Sequence, residues 1–311
     1  MTLQNTPTQT ARDGGRHDSP LSHVSPSLNS IWHVDRPLQR GHSEGIHWQR
    51  NADMLLGMIE LQETDVLPTA AGMSPLQAAS QSVYERLFRL LRQQDMPHLW
   101  RVWNYLGDIN GESHGLERYR QFNLGRYAAF VQAHRDTGGQ VPAACAIGVQ
   151  HGPLSVAFLA GSMPVVPVEN PRQLSAWRYP TQYGPRAPTF SRAALAYPPG
   201  QEVLFISGTA SIVGHETVHP GDVVAQCRET VRNLECVVQE ASRLARSAPA
   251  FALGDMSHRA YVRHASDIAT VQRTLKALLG DAPLACVRAD ICRSDLLVEV
   301  ESQALHSLSP P

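Results

Sequence analysis

The sequence predicts an α/β fold built from two similar units, each a mixed β-sheet with helices packed on one face. Two observations predict it. The order strand, helix, strand, helix, strand, strand can be read in both halves of the chain. Long stretches with apolar residues at helical spacing alternate with short apolar runs, the pattern of helices laid against sheets. The 311 residues, 42% of them hydrophobic, suffice for one large domain or two ordinary ones. Identity between the halves is poor, so repeated order rather than repeated sequence carries the hint of duplication.

Residues 1–29 are rich in Ser, Thr, Pro, Gly and His and are expected to form a flexible tail. One unit is expected at 30–180 and a second at 181–311. In the first, Ala52–Leu61 reads as a strand. Ser74 and Pro75 then supply an N-cap and a proline at the first helical position. Leu76, Ala79, Val83, Leu87 and Leu90 extend that helix to about Gln94, before Pro97. Leu99–Leu106 is an aromatic, apolar strand. A second helix is expected from Leu116, and strands at Ala143–Val149 and Leu154–Leu159 flank a Gly-Pro turn. Met163–Pro188 is Pro-rich but dense in Arg and Tyr, unlike a solvated linker, and is expected to be ordered and to line a site between the units. In the second unit, strands are expected at Ser191–Tyr197, Val203–Ser207, Ala260–Arg263, Leu284–Cys292 and Leu296–Glu301. Helices are expected from Asp222 to Leu244, with Val231, Leu234, Val238 and Ala241 on one face, and from Ile268 to Leu279, stopped by Gly280.

Composition narrows the function. A net charge of −1 argues against a general nucleic-acid binder, which needs a basic excess. No apolar run approaches the ~20 residues of a membrane span, and the first residues lack an apolar signal core. Five cysteines without a CxxC pair read as reduced thiols. The expected location is cytoplasmic.

The chain is organised around Val203–Asn233. There an apolar strand ends in Ser207-Gly208-Thr209-Ala210-Ser211, and a helix opens at Gly221-Asp222. Small residues at a strand end let a ligand approach the backbone. Within this stretch His215-Glu216-Thr217-Val218-His219 matches the zinc-peptidase HExxH motif. That chemistry needs a helix, whereas Gly214 and Pro220-Gly221 bracket the motif and favour a loop; no metal is expected. Glu299 and Glu301, two apart in an apolar strand, point to one face. They are either solvated glutamates on an edge strand or carboxylates facing a closed pocket, where burial would suit one of them to act as an acid. Cys292 is a core residue or a pocket wall. Arg and Tyr cluster at Glu117-Arg118-Tyr119-Arg120, followed by Arg126, and at Trp177-Arg178-Tyr179 with Tyr183-Gly184-Pro185-Arg186. The first cluster is either a solvated helix face or half of a dicarboxylate site; the Pro-rigid turn is the better candidate for binding.

RVWNYLGDIN, GLERYRQFN, NPRQLSAWRYPTQYGPRAPTFSRA, FISGTASIVGHE with HPGD, and CRSDLLVEVE occur in this order between Leu99 and Glu301. Together they resemble the chorismatase family, and the second half is similar to RidA/YjgF proteins. The resemblance implies two RidA- or chorismate-mutase-like units. It also implies cofactor-independent cleavage of the enolpyruvyl ether of chorismate, a dicarboxylate, with release of pyruvate. It assigns Glu299 as the acid and Tyr183, Arg186 and Arg118, with Arg126 nearby, to the carboxylates. Gly208 and Cys292 go with the route in which the substrate's own ring hydroxyl attacks. That route gives 3-hydroxybenzoate through an arene oxide, and a related group also yields 4-hydroxybenzoate. Other members admit water and give a dihydrodiol. The second class in view is a RidA-like imine deaminase or small-metabolite binder, resting on Arg288. The oligomeric state is left open.

Overall fold

The structure is a computed structural model that describes residues 38–308; the tail expected at 1–29 lies outside the described residues. Strands β1 (Gln39–Ser43) and β2 (Ile46–Arg50), not foreseen from the sequence, form a hairpin leading into β3 (Met54–Leu61). Helix α1 (Pro75–Gln93) follows, with the Gln77 amide donating to Ser74 Oγ at 3.1 Å. The five residues predicted for its apolar face are all buried. Next come β4 (His98–Gly107) and a small hairpin of β5 (Glu112–Ser113) and β6 (Leu116–Glu117). The second helix, α2 (Arg118–Gln132), starts later than expected because Leu116 and Glu117 pair with Ser113 and Glu112. Strands β7 (Ala143–Val149) and β8 (Leu154–Gly161) complete this half.

The second half contains β9 (Val166–Val168), β10 (Ala193–Ala196) and β11 (Gln201–Ala210). A hairpin of β12 (Ile212–Val213) and β13 (Glu216–Thr217) precedes α3 (Val223–Leu244), whose Asp222 cap accepts from the Ala225 amide at 2.9 Å. Then follow β14 (Ser257–Val262), α4 (Ile268–Leu279), β15 (Leu284–Arg288), β16 (Asp290–Ile291) and β17 (Val298–Ser307).

One sheet has the order β1-β2-β3-β8-β4-β7-β16, the other β15-β14-β17-β11-β10-β9. Within them β3-β8-β4-β7 and β11-β17-β14-β15 share topology. In each, the first two of the three pairings are antiparallel, and the last, β4 with β7 or β14 with β15, is parallel. The predicted repeat is thus a repeat of topology. Two segments cross between the halves. Strand β9, upstream of the 180/181 boundary, pairs with β10 in the second sheet. The stretch expected as one strand, Leu284–Cys292, breaks at Ala289, and β16 pairs with β7 in the first sheet.

Three apolar layers result. One lies between α1, α2 and the first sheet, a second between α3, α4 and the second sheet. The third lies between the sheets, where Trp100, Trp103, Tyr105 and Cys145 meet Ala194, Val203, Phe205 and Tyr261. Strand β4 is buried on both faces, which is why its sequence is a continuous apolar run rather than an alternating one. No helix among the described residues is long and apolar enough to cross a membrane.

Helices α1 and α2 touch at Gly125, where an added Cβ would lie 2.1 Å from the Gln77 carbonyl oxygen. Replacing a helical glycine by alanine favours the helix by up to ~1 kcal/mol, but here the methyl meets backbone that must move. Gly125→Ala is expected to destabilise the protein by about 1–3 kcal/mol net, read as a lower urea midpoint.

Candidate active site

Strand β17 lies in the middle of its sheet, between β11 and β14. Val298 and Val300 face the helices, so Glu299 and Glu301 enter the layer between the sheets. Both are buried, at 4% and 8% exposure, and the solvated edge-strand reading is set aside. Glu301 is fully engaged. It pairs with Arg101, reaching across from β4, and with Arg259 at 3.4 Å, and accepts from the Tyr261 hydroxyl at 3.0 Å. Glu299 makes no hydrogen bond or ion pair with any described residue. Burial pushes its carboxyl up to about 8; the Glu301 charge adds to the effect, while Arg101 and Arg192 oppose it. At neutral pH Glu299 is therefore mostly protonated and has no partner for its proton, the state a general acid needs.

Its position depends on Gly208. The pairing of β11 with β17 is irregular between Ile206 and Thr209. A Cβ on Gly208 would lie 1.9 Å from Glu299 Oε1, so the missing side chain is the space the carboxyl occupies. Cys292 packs between the helical layer of the first half and a small cluster of Ala210, Ile212, Ile291 and Leu296. Burial, then the Glu299 charge, push its thiol up to about 12, so Cys292 is a neutral wall rather than a nucleophile. Tyr119 on α2 feels Cys292, Arg126 and Glu299; burial holds its hydroxyl protonated.

Two residues hold the loop that carries Cys292. Arg263 donates to the carbonyls of Leu296 (2.7 Å), Ile291 (3.1 Å) and Arg293 (2.8 Å), to Asp290 Oδ1 (2.9 Å) and to Asn110 Oδ1 (3.1 Å). From α3, Gln226 Oε1 accepts from the Leu297 amide at 2.8 Å and its amide donates to the Asp295 carbonyl at 2.9 Å. On the same helix Asn233 donates to the Ala210 and Ile212 carbonyls, fixing the end of β11.

The Arg/Tyr connector is ordered, with two short 3-10 turns at Ala176–Arg178 and Thr181–Tyr183. Tyr183 meets Nδ1 of His215 at 3.2 Å, and the Arg293 guanidinium lies 4.0 Å over the Tyr183 ring. Tyr179 lies between Arg293 (5.0 Å) and Arg192 (5.6 Å), and Arg192 also donates to its hydroxyl at 2.8 Å. Three guanidinium nitrogens, Arg126 Nε, Arg192 Nε and Arg293 Nη2, are buried with no partner among the described residues. Buried donors of this kind call for an acceptor.

The structure therefore brings Glu299, Gly208 and Cys292 together. Tyr183 joins a cluster with Arg293 and His215, and Arg126 is buried where its charge is felt by Tyr119. Arg118 is committed elsewhere, to Glu63 and to the Gly107 carbonyl at 2.8 Å. Arg186 is exposed and stacks 4.5 Å over Tyr127. Arg288 is exposed on β15. In the HExxH segment Glu216 and Thr217 form β13 and His219 has φ 59°, so the segment is a hairpin and not a helix. Sequence reasoning passed over Arg192, Arg293, Tyr119 and Tyr179. Arg192 could have been found as a lone charge entering the apolar run of β10; Tyr119 and Tyr179 stood inside clusters already noted.

A doubled α/β unit with a buried, protonated glutamate near unpartnered arginine nitrogens describes a site for a small anionic molecule. The family description "Chorismatase FkbO/Hyg5-like, N-terminal" matches residues 30–160. A chorismatase of Streptomyces rapamycinicus is 41% identical over 283 residues, covering 88% of this chain and 81% of that one. A 3-hydroxybenzoate synthase of Streptomyces hygroscopicus is 34% identical over 309 residues, 93% and 86% of the two chains. The crystal structure of a chorismatase superposes with a TM-score of 0.77 at 36% identity, covering 86% of this chain and 80% of that one. This chain belongs to the chorismatase family.

Two pH effects follow. Glu299 normally ionises near 4.5 but at about 8 in the fold. Between these values the folded chain holds a proton that the unfolded chain has lost. Stability therefore falls as pH rises through that window, and the loss is complete above it. Glu299→Gln is expected to flatten this part of a stability–pH curve. Turnover that needs the protonated acid is expected to decline with a midpoint near 8, and Glu301→Gln, by removing the like charge, to move that limb to lower pH in a kcat/KM profile.

Proposed function

We propose that this chain converts chorismate into 3-hydroxybenzoate and pyruvate without a cofactor. The observation that carries the proposal is the buried, unpartnered Glu299 lodged in the space left by Gly208. The names of two relatives support the substrate class and the product.

Chorismate is a dicarboxylate, and the unpartnered nitrogens of Arg192, Arg293 and Arg126 offer charge-assisted donors for its carboxylates. Tyr183 and Tyr179 carry Arg293 and Arg192 on their ring faces and add hydroxyl groups. Holding a dianion in one pose supplies orientation. Glu299 then transfers its proton to the methylene carbon of the enolpyruvyl group, and an oxocarbenium-like centre develops at the ether carbon. The neighbouring ring hydroxyl attacks the ring carbon that bears the ether. The ring C–O bond breaks, its electron pair passes to the departing oxygen, and that oxygen becomes the keto oxygen of pyruvate. The hydroxyl proton returns to the Glu299 carboxylate. The arene oxide left behind opens and aromatises to 3-hydroxybenzoate, so substrate and products balance without water. The neutral thiol of Cys292 and the apolar residues around it form a wall that keeps water from the oxocarbenium-like centre.

Purified protein incubated with chorismate alone is expected to release pyruvate and 3-hydroxybenzoate, measured by a coupled assay and chromatography. Glu299→Gln should lower the rate by at least ~10²-fold, the contribution of a general acid. Gly208→Ala, which pushes the carboxyl aside, should slow turnover and raise the share of dihydrodiol. Pyruvate accompanied by dihydrodiol alone from the unmodified protein would sink the intramolecular route.

A further inference from the structure

A cavity of about 310 Å³ opens between the sheets, beyond Glu301 as seen from Glu299. Trp103 and Phe205 form its aromatic wall, and Leu284 and Ala285 of the edge strand β15 its rim. Arg101, Arg259 and Glu301 also line it, so two guanidinium groups face one carboxylate there. His258 lines it too. Its ring nitrogens are engaged by Ser302 Oγ at 2.7 Å and the Leu253 carbonyl at 2.9 Å, and burial holds its pKa below the usual imidazole range, so it adds no charge. The net charge of the lining is therefore one positive.

Arg101 is 2% exposed. Its Nη2 donates to Glu301, yet its Nη1 is buried without an acceptor among the described residues. Arg101 thus borders a cavity of net positive charge with one donor unused, and such a donor calls for an anionic oxygen. The volume lies at the lower end of ligand cavities, roughly 300–1,000 Å³, which suits one ring and excludes a nucleotide. The aromatic wall suits a flat ring.

We propose that the cavity between Trp103 and Ala285 is a second, non-catalytic site for a small aromatic monocarboxylate, with Arg101 Nη1 as its buried donor. The site shares no lining residue with Gly208, Cys292 or Glu299. A ligand there would contact the far side of the Glu301 network whose near side borders the acid. The product of the proposed reaction belongs to this ligand class. Product sensing is thus a corollary that rests on the proposed function, whereas the binding itself does not.

The test is calorimetric titration of the full chain with benzoate. Ala285 is exposed and lies apart from the catalytic residues. Ala285→Phe fills the cavity, and Ala285→Asp repels an anion without adding bulk, should the larger residue disturb folding. Both are expected to weaken benzoate binding by at least about tenfold, while each turns over chorismate at the unmodified rate. In crystals soaked with 3-bromobenzoate, the bromine is expected beside Trp103. No saturable benzoate binding, binding unchanged in both variants, or bromine beside Glu299 alone would overturn the proposal. Because calorimetry needs no turnover, a failed chorismate assay would leave this result standing on its own.

Discussion

The Arg101–Glu301 ion pair joins the two halves of the molecule in the layer between the sheets. Arg101 comes from the first sheet, Glu301 from the second, and aromatic rings surround both. Taking two charges out of water costs several kcal/mol per ion, and the mutual attraction offsets this only when the remaining hydrogen-bonding capacity is met. Tyr261 and Arg259 meet it on the glutamate. The arrangement fixes a negative charge two residues from Glu299 on the same face of one strand. Burial first, and then that charge, keep the proton on Glu299. The protonated state of Glu299 is thus made by the packing of two sheets rather than by any single loop.

The remaining parts of the site hold that acid in place. Gly208 contributes by having no side chain, in an irregular stretch of β11 where two strands would otherwise run in register. Asn233 and Gln226, seven residues and about two turns apart on one helix, tie down the end of β11 and the loop before β17. Arg263 uses all its nitrogens to shape the turn that presents Cys292 and Arg293. These side chains act as fasteners for backbone, and their amide and guanidinium groups suit the task because each can reach several carbonyls at once.

Much of the fold was legible because its signals are local. Helix α1 is marked by Ser74, Pro75 and apolar residues at helical spacing, all within one short stretch. Helix α3 is marked in the same way by Asp222 and its periodic face. The burial of Glu299 was one of two readings that a glutamate in an apolar strand allows, and the structure places it inside. What could not be read depends on partners far along the chain. Arg118 has the look of a carboxylate binder, and Glu63, 55 residues earlier, satisfies it. Arg192 shows in sequence only as a lone charge before an apolar run, and the fold sets it beside Tyr179 and near Glu299. Leu284–Cys292 reads as one strand because its composition is uniform; nothing local announces that Asp290 and Ile291 leave for the other sheet.

That departure ties the history of the two halves together. A tandem duplication leaves its copies free to be lost, shuffled or exchanged while each retains its own sheet. Here the second half lends two residues to the edge of the first sheet, and Cys292 is the next residue along the chain. Substitutions in β7, within the half that lacks the acid, would be felt in the wall of the catalytic pocket through β16. The halves must therefore evolve as one unit, and the strand they share is where drift in either copy would first register as altered chemistry.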